Sequence, residues 1–380
     1  MILGGGPAGC STALALQQQG ITQILVVEAG HYQTIRIGES LPPDTRLLLE
    51  QLGLLSDFLQ ESHEPCLGSC ACWGSDKLGY NDFLFNPSGH GWHLDRNRFD
   101  RFLAKQVVER GITLDPGWRF QTCKSSALGF RLGFQKQNET GSKGVDVAHD
   151  RQTRIVDSRF VIDATGRGTY FARCQGAKRL LHDRLVCAIA FFDLPHPTSF
   201  SQLTMLEAVE YGWWYAAKLP NNRLVVAVAS EPDLIQQWGL AQKKQWLKQF
   251  KATQHLAPAL GHQPLATNRL TTDLIVCAAP SFLLDQVGGG GWLAVGDAAS
   301  AYDPIASQGV YKALSNGLAG AQVVAADFQN APSMLADYQT LITNQFQDYL
   351  QNRNYFYAME QRWPDSSFWK KRLARKMLRQ

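Results

Sequence analysis

The chain contains no run of about 18 uncharged apolar residues, and its N-terminus has neither the basic start nor the apolar core of a secretory leader. An ordinary membrane span is thereby excluded, and a cytoplasmic location with no membrane partner is expected. Charge is sparse, 18% of residues against 45% hydrophobic, and a net charge of +4 is too mild to suggest a nucleic-acid partner. Internal repeats and low-complexity linkers are missing too. Cysteine is present at eight positions in 380 residues, but without C-x2-C pairs or a leader to accompany it. A disulfide framework and a zinc ribbon are therefore both disfavoured. The segment HEPCLGSCAC, which gathers His63, Cys66, Cys70 and Cys72, reads as free thiols in a loop or strand, with no metal expected.

What is present, at once, is glycine. MILGGGPAGC places Gly4, Gly6 and Gly9 in a G-x-G-x-x-G pattern, followed by Pro7, Ala8 and a small-residue helix that Gly20 ends. The first glycine suits a tight turn, the second lets a pyrophosphate approach the backbone, and the third lets helix and strand pack closely. ITQILVVEAG then reads as a buried parallel strand ending in Glu28 and Ala29, so that a βαβ unit places an acid 24 residues after Gly4, where a ribose hydroxyl would sit. Only Met1, Ile2 and Leu3 precede the turn. The first strand is thus unusually short or the recorded start falls inside it, and N-terminal extension by a few apolar residues is expected to tighten a weakly held cofactor.

Two later blocks repeat the strand-then-turn pattern: SRFVIDATGRGT, containing Asp163, and GWLAVGDAASAYDPIASQGVYKALSNGLAGA, containing Gly296, Asp297, Pro304 and Gly309 before a long helix. Residues 112–160 read as a surface β-meander with a polar turn, NETGSKG. Residues 183–275 carry strand-like runs and one polar helix, IQQWGLAQKKQWLKQF. In HGWHLDRNRFDRFL, the helical spacing of Phe99, Leu103 and Val107 turns those residues to the core and leaves Arg96 at the helix start. Residues 361–380 carry seven Lys/Arg against one acid. This tail is either a docking surface or a solvated helix face.

The combination of GGGPAG, DATG and GDAA resembles the flavoprotein monooxygenases of the para-hydroxybenzoate hydroxylase superfamily. By that resemblance Asp297 holds the FAD ribitol, DPIASQG lies along the isoalloxazine, and Arg96, followed by F-D-x-x-L, contacts the FAD. Asp163 matches the superfamily's other acidic motif, implied to serve the pyrophosphate and NAD(P)H, with a purely structural strand-end role left open. Pro304 stiffens the loop, Gly309 permits close approach, and the helix beyond turns its positive end toward the flavin. The implied fold is α/β: a Rossmann-like FAD-binding domain with a glutathione-reductase-like sheet, an inserted antiparallel-sheet substrate domain and a C-terminal helical segment. Its expected parts are 1–60, 91–182 and 276–330 for FAD, 61–90 and 183–275 for substrate, and 331–380 for the helical region.

IGESLPP, with Gly38-Glu39-Ser40 before prolines, looks like the motif of flavin-dependent halogenases and their hydroxylase relatives. The halogenase lysine has no clear counterpart, Lys77 lying beyond the GSCACWGSD region, and GWWYAAKLP lacks the W-x-W-x-I-P pattern. Longer segments such as CWGSDKLGYNDFLFNPSGHGWHLDR and EQRWPDSSFWKKR are similar to flavoproteins that mature tryptophylquinone enzymes. That resemblance implies a monooxygenase acting on a tryptophan of a precursor oxidase or dehydrogenase, with FAD reduced by NAD(P)H or an external flavin reductase. A hydroxylase or halogenase of a small aromatic metabolite, and a flavin-carrying maturation chaperone, are the alternatives. Glu39, His90 in the SGHG loop, and His93 are candidate acid/base groups. Trp73, Trp92, Trp213, Trp214 and Tyr215 are expected to wall the site against an incoming indole, with the basic tail as docking surface.

Overall fold

The computed structural model describes residues 1–127, 129–137, 152–194, 200–260 and 270–373. Ile2–Leu3 is a two-residue strand, yet it occupies the middle of a six-stranded sheet. It lies between the parallel strands Leu25–Glu28 and Val161–Asp163, with Thr113–Pro116 and Trp292–Ala294 flanking these and Gly288–Gly289 at the edge. Ile2 pairs with both Val26 and Ile162, and all three are buried. A strand covered on both faces needs an unbroken apolar run, which explains why this one does not alternate. Helix Pro7–Gln18 lies against helix Gly309–Phe328, with Ser11 donating to the Ala8 carbonyl at the contact.

A second sheet of seven strands runs in the order Ile275–Ala278, Val186–Asp193, Arg223–Ser230, Gly212–Leu219, Thr204–Val209, Gly68–Cys72 and Leu78–Asp82. Its pairings are antiparallel except that Thr204–Val209 runs parallel to Gly68–Cys72. On one face Trp214 packs edge-on against Trp246 at 5.0 Å, covered by helix Lys243–Lys251. The other face is turned toward the parallel-sheet region. The expected single helix over IQQWGLAQKKQWLKQF is instead two, Pro232–Gln237 and Lys243–Lys251, because Gly239 adopts a left-handed conformation (φ 64°) and ends the first one.

Trp118–Ser126, Gly129–Lys136 and Thr153–Ser158 form a three-stranded antiparallel meander, while the NETGSKG turn lies outside the described residues. Helix Leu335–Met359, 25 residues long, and the short helix Ser367–Leu373 close the chain's described part.

Candidate cofactor and substrate site

Between the two sheets lies a cavity of about 650 Å³. At one end is the glycine turn. Gly4 has φ 109°, and a Cβ there would sit 2.3 Å from the Ala164 carbonyl oxygen; at Gly9 it would sit 1.8 Å from the Gly4 oxygen. These two glycines are demanded by backbone crowding. Gly6, by contrast, opens on the cavity, and the helix that follows has no side-chain cap, so its first N–H groups are free for an anion.

Glu28 stands beside this turn. Its Oε2 accepts from the Gly5 N–H (2.7 Å), and its Oε1 accepts from Gly30 N–H (2.9 Å) and from Arg36 (3.1 Å). Arg36 also pairs with buried Asp100 (3.3 Å), which in turn accepts from Arg96 (3.2 Å). Arg96 donates further to the Gly38 carbonyl (3.1 Å), tying the helix Arg96–Glu109 to the segment before Glu39. The result is a closed set of charges along the cavity wall.

Further along, Asp297 accepts from Lys312 Nζ (2.8 Å) and Arg167 Nε (3.3 Å). Burial alone would raise its carboxyl; the Lys312 ammonium and Arg167 guanidinium beside it win, holding it below the usual carboxylate range. Next to it the 303–309 loop lines the cavity and is held from behind. Asp303 accepts from Tyr357 Oη (2.7 Å) and Arg353 Nε (3.3 Å), and Arg353 reaches Asp183 at 2.9 Å. Tyr357 Oη also accepts from Trp213 Nε1 (3.0 Å), so one buried network joins the loop to the substrate-side wall.

The far end is apolar, lined by Ile189, Val225, Ala227 and the ring of Trp213. Tyr215 and Ser40 share a hydrogen bond of 3.1 Å there. Glu39 is 5% exposed and lines the same space, and its Oε1 has no hydrogen-bond partner. Burial raises its carboxyl above the ordinary value, against the opposing pull of backbone N–H groups and Arg96.

The cavity therefore brings together Gly4, Gly6, Pro7, Ala8, Glu28, Ala29, Arg96, Asp297, Pro304 and Gly309 with Glu39. Gly9 and Gly296 lie behind it as packing positions. Asp163 is turned away: its carboxylate accepts from Thr165 N–H (2.9 Å) and Ala172 N–H (2.8 Å), which gives it the strand-end role. The five aromatics do not form one wall. Trp213 and Tyr215, two apart on a strand, face the cavity, whereas Trp214 points to the opposite core. Trp73 packs against Trp369 and Trp92 against Phe58. His90 lies off the cavity with its ring against Trp92, and His93 is buried against Thr204 Oγ1 (2.8 Å), its pKa lowered to about 4 by burial.

The basic tail also departs from a free docking face. Arg362 pairs with Glu360 and Asp76, Arg372 with Glu231, Lys371 with Asp233 and Lys370 with Asp365. Arg375, Lys376 and Arg379 lie outside the described residues.

Arg36, Asp100, Arg167 and Lys312 went unrecognised in the sequence reading. Arg167 stands inside DATGRG, and Lys312 is a lone charge in a helix start otherwise built of small and apolar residues; these were the available signals.

A parallel sheet with a glycine turn, an uncapped helix N-terminus and acids at two strand ends defines a Rossmann-like dinucleotide site, and the donors and cradle present fit FAD. Residues 1–340 match the FAD binding domain family, and the chain belongs to it. It is a flavin-dependent oxidoreductase. Over 380 residues it is 28% identical to LodB of Marinomonas mediterranea, named as an FAD-dependent oxidoreductase, covering 98% of this chain and 96% of LodB. It is 25% identical to the flavin-dependent halogenase gsfI of Penicillium aethiopicum, covering 84% of this chain and 63% of that protein. Among solved structures it is similar to the flavin-dependent halogenase CmlS (TM-score 0.80, 22% identity, 99% of this chain, 69% of that one). It is also similar to the peptidyl tryptophan dihydroxylase QhpG, described as essential for tryptophylquinone cofactor biogenesis (TM-score 0.75, 22% identity, 98% of this chain, 77% of that one).

Proposed function

We propose that the chain uses reduced FAD and O2 to hydroxylate an electron-rich aromatic ring, in the first instance that of a small metabolite, held between the two sheets. The observation that carries this reading is Glu39, a buried carboxyl with a free oxygen in a largely apolar chamber beside the flavin loop. The relative named as a brominase of a pyrrole-2-carbonyl group supports an aromatic substrate, while no lysine lines the cavity among the described residues, which favours hydroxylation over halogenation.

Bound FAD supplies the activation of O2, with NAD(P)H or a separate flavin reductase as the electron source. The chain's own residues do the rest. Gly6 and the helix start hold the pyrophosphate, Glu28 the ribose, Asp297 the ribitol, and Arg96 the segment between. The apolar chamber excludes water, Tyr215 and Ser40 present hydroxyls to the ring, and Glu39 moves the proton released from the ring carbon.

A second reading, in which the ring is a tryptophan of a precursor oxidase or dehydrogenase, is favoured by the longer segments noted above and by the likeness to the peptidyl tryptophan dihydroxylase QhpG. The test is purified yellow protein given reductant and O2 with indole, a phenol, or a co-expressed precursor, followed by mass spectrometry. Oxygen added to the free aromatic supports the first reading, and oxygen added only to the precursor's tryptophan supports the second. No oxygen on any of them overturns both in favour of a maturation chaperone.

A further inference from the structure

Two thiols stand in the chamber wall. Cys187 and Cys277 are direct partners across the antiparallel pair Val186–Asp193 and Ile275–Ala278, and both line the cavity. Both are free thiols, Cys187 buried and Cys277 half-buried. Directly opposed residues in such a ladder have Cα atoms about 4.5–5.5 Å apart with side chains on the same face. A disulfide needs Cα atoms about 4.4–6.8 Å apart and Cβ atoms about 3.5–4.5 Å apart; the pairing meets the first, and a small closing movement of the edge strand Ile275–Ala278 meets the second.

We propose that Cys187 and Cys277 are a modification site, a dithiol that hydrogen peroxide oxidises to a disulfide in the wall of the substrate chamber. Cys277 is the attacking sulfur, because it is the less buried of the two and lines the cavity through which peroxide arrives. Its thiolate attacks one peroxide oxygen; the O–O bond breaks, a sulfenic acid forms, and the departing hydroxide takes the thiol's proton to become water. Cys187 then attacks that sulfur, the S–S bond forms and a second water leaves. Two thiols are oxidised and one peroxide is reduced. The source of peroxide rests on the function proposed above, since reduced flavin meeting O2 with no ring to accept oxygen releases it.

The bridge changes the chamber's chemistry as well as its shape. It removes both S–H groups beside Ile189 and locks the edge strand Ile275–Ala278 to its neighbour, so an oxidised enzyme meets a stiffer, narrower substrate side.

The experiment treats the FAD-loaded full chain with added hydrogen peroxide, alkylates the remaining thiols and maps peptides by mass spectrometry. The expected result is a peptide pair joining Cys187 to Cys277, lighter by two hydrogens, lost on dithiothreitol and absent in Cys277→Ser and Cys187→Ser. Alkylation of both thiols as complete after peroxide as before overturns the proposal. So does oxygen on a single sulfur without a bridge, or a bridge found only between other cysteines such as Cys123 and Cys174. The wild-type map decides by itself if a variant fails to fold. Added peroxide requires no turnover, so failure of the hydroxylation assay leaves this result standing.

Discussion

At the parallel-sheet end of the cavity, Glu28, Arg36, Asp100 and Arg96 form a chain of ion pairs and Asp297 is clamped by Lys312 and Arg167, whereas at the antiparallel end Glu39 faces apolar side chains with one oxygen free. The first end is arranged for binding: its charges are neutralised in place, so a phosphate or ribose meets donors already held in position. The second end keeps one group able to gain or lose a proton. On the function proposed above, binding and chemistry are thus separated by which carboxylates have partners.

Asp297→Ala breaks the first end most severely. It removes the proposed ribitol contact and leaves Lys312, whose side chain is 3% exposed, without its counter-charge. Colourless protein and a loss of about 3–5 kcal/mol of stability are expected, read by absorbance and chemical denaturation; stoichiometric FAD in the purified variant would place the ribitol elsewhere. Trp214→Ala strikes the second sheet on its closed face, costing about 3–4 kcal/mol while leaving the ligand preference of the surviving folded protein unchanged.

Glu39→Gln sharpens the contrast. FAD content should stay at one per chain while turnover falls about 100-fold, which is about 2.7 kcal/mol in the barrier. Because burial raises the native Glu39 carboxyl, the folded state keeps a proton that the unfolded state has released. Wild-type stability therefore declines as pH rises from the ordinary carboxylate value through the raised one, and the Gln variant lacks that part of the decline. Parallel melts of both proteins across that window give the answer. Tyr357→Phe is the mildest: Trp213 Nε1 and Asp303 Oδ2 each lose a partner, at about 1–3 kcal/mol, with FAD retained but its absorbance bands shifted as the 303–309 loop loosens.

The cofactor end was legible because its signals are local. Gly4, Gly9, Glu28 and Arg96 each sit in a short pattern whose spacing carries the geometry, and the helical period of Phe99, Leu103 and Val107 points to a helix that begins at Arg96, as it does. The pairs that complete that end were not legible: Arg167 meets Asp297 across 130 positions and Arg353 meets Asp183 across 170, and no local periodicity encodes such contacts. The aromatic wall failed for a different reason. The twofold alternation of a strand already sends Trp213 and Trp214 to opposite faces, and that period, not aromatic content, decides which ring meets the cavity. His90 and His93 failed because a ring nitrogen's role depends on what surrounds it, and these sit against Trp92 and Thr204.

The grip of helix Leu335–Met359 on Asp303 also bears on timing. A chain made from its N-terminus exposes the glycine turn and Glu28 early, but the loop beside Asp297 cannot be fixed until Arg353 and Tyr357 have left the ribosome. The glycine turn itself waits for Val161–Asp163 to pair with Ile2–Leu3 and for Ala164 to pack on Gly4, so the phosphate seat is completed by residues made well before those that hold the flavin loop. The two halves of the cavity are thus completed by segments far apart in the chain.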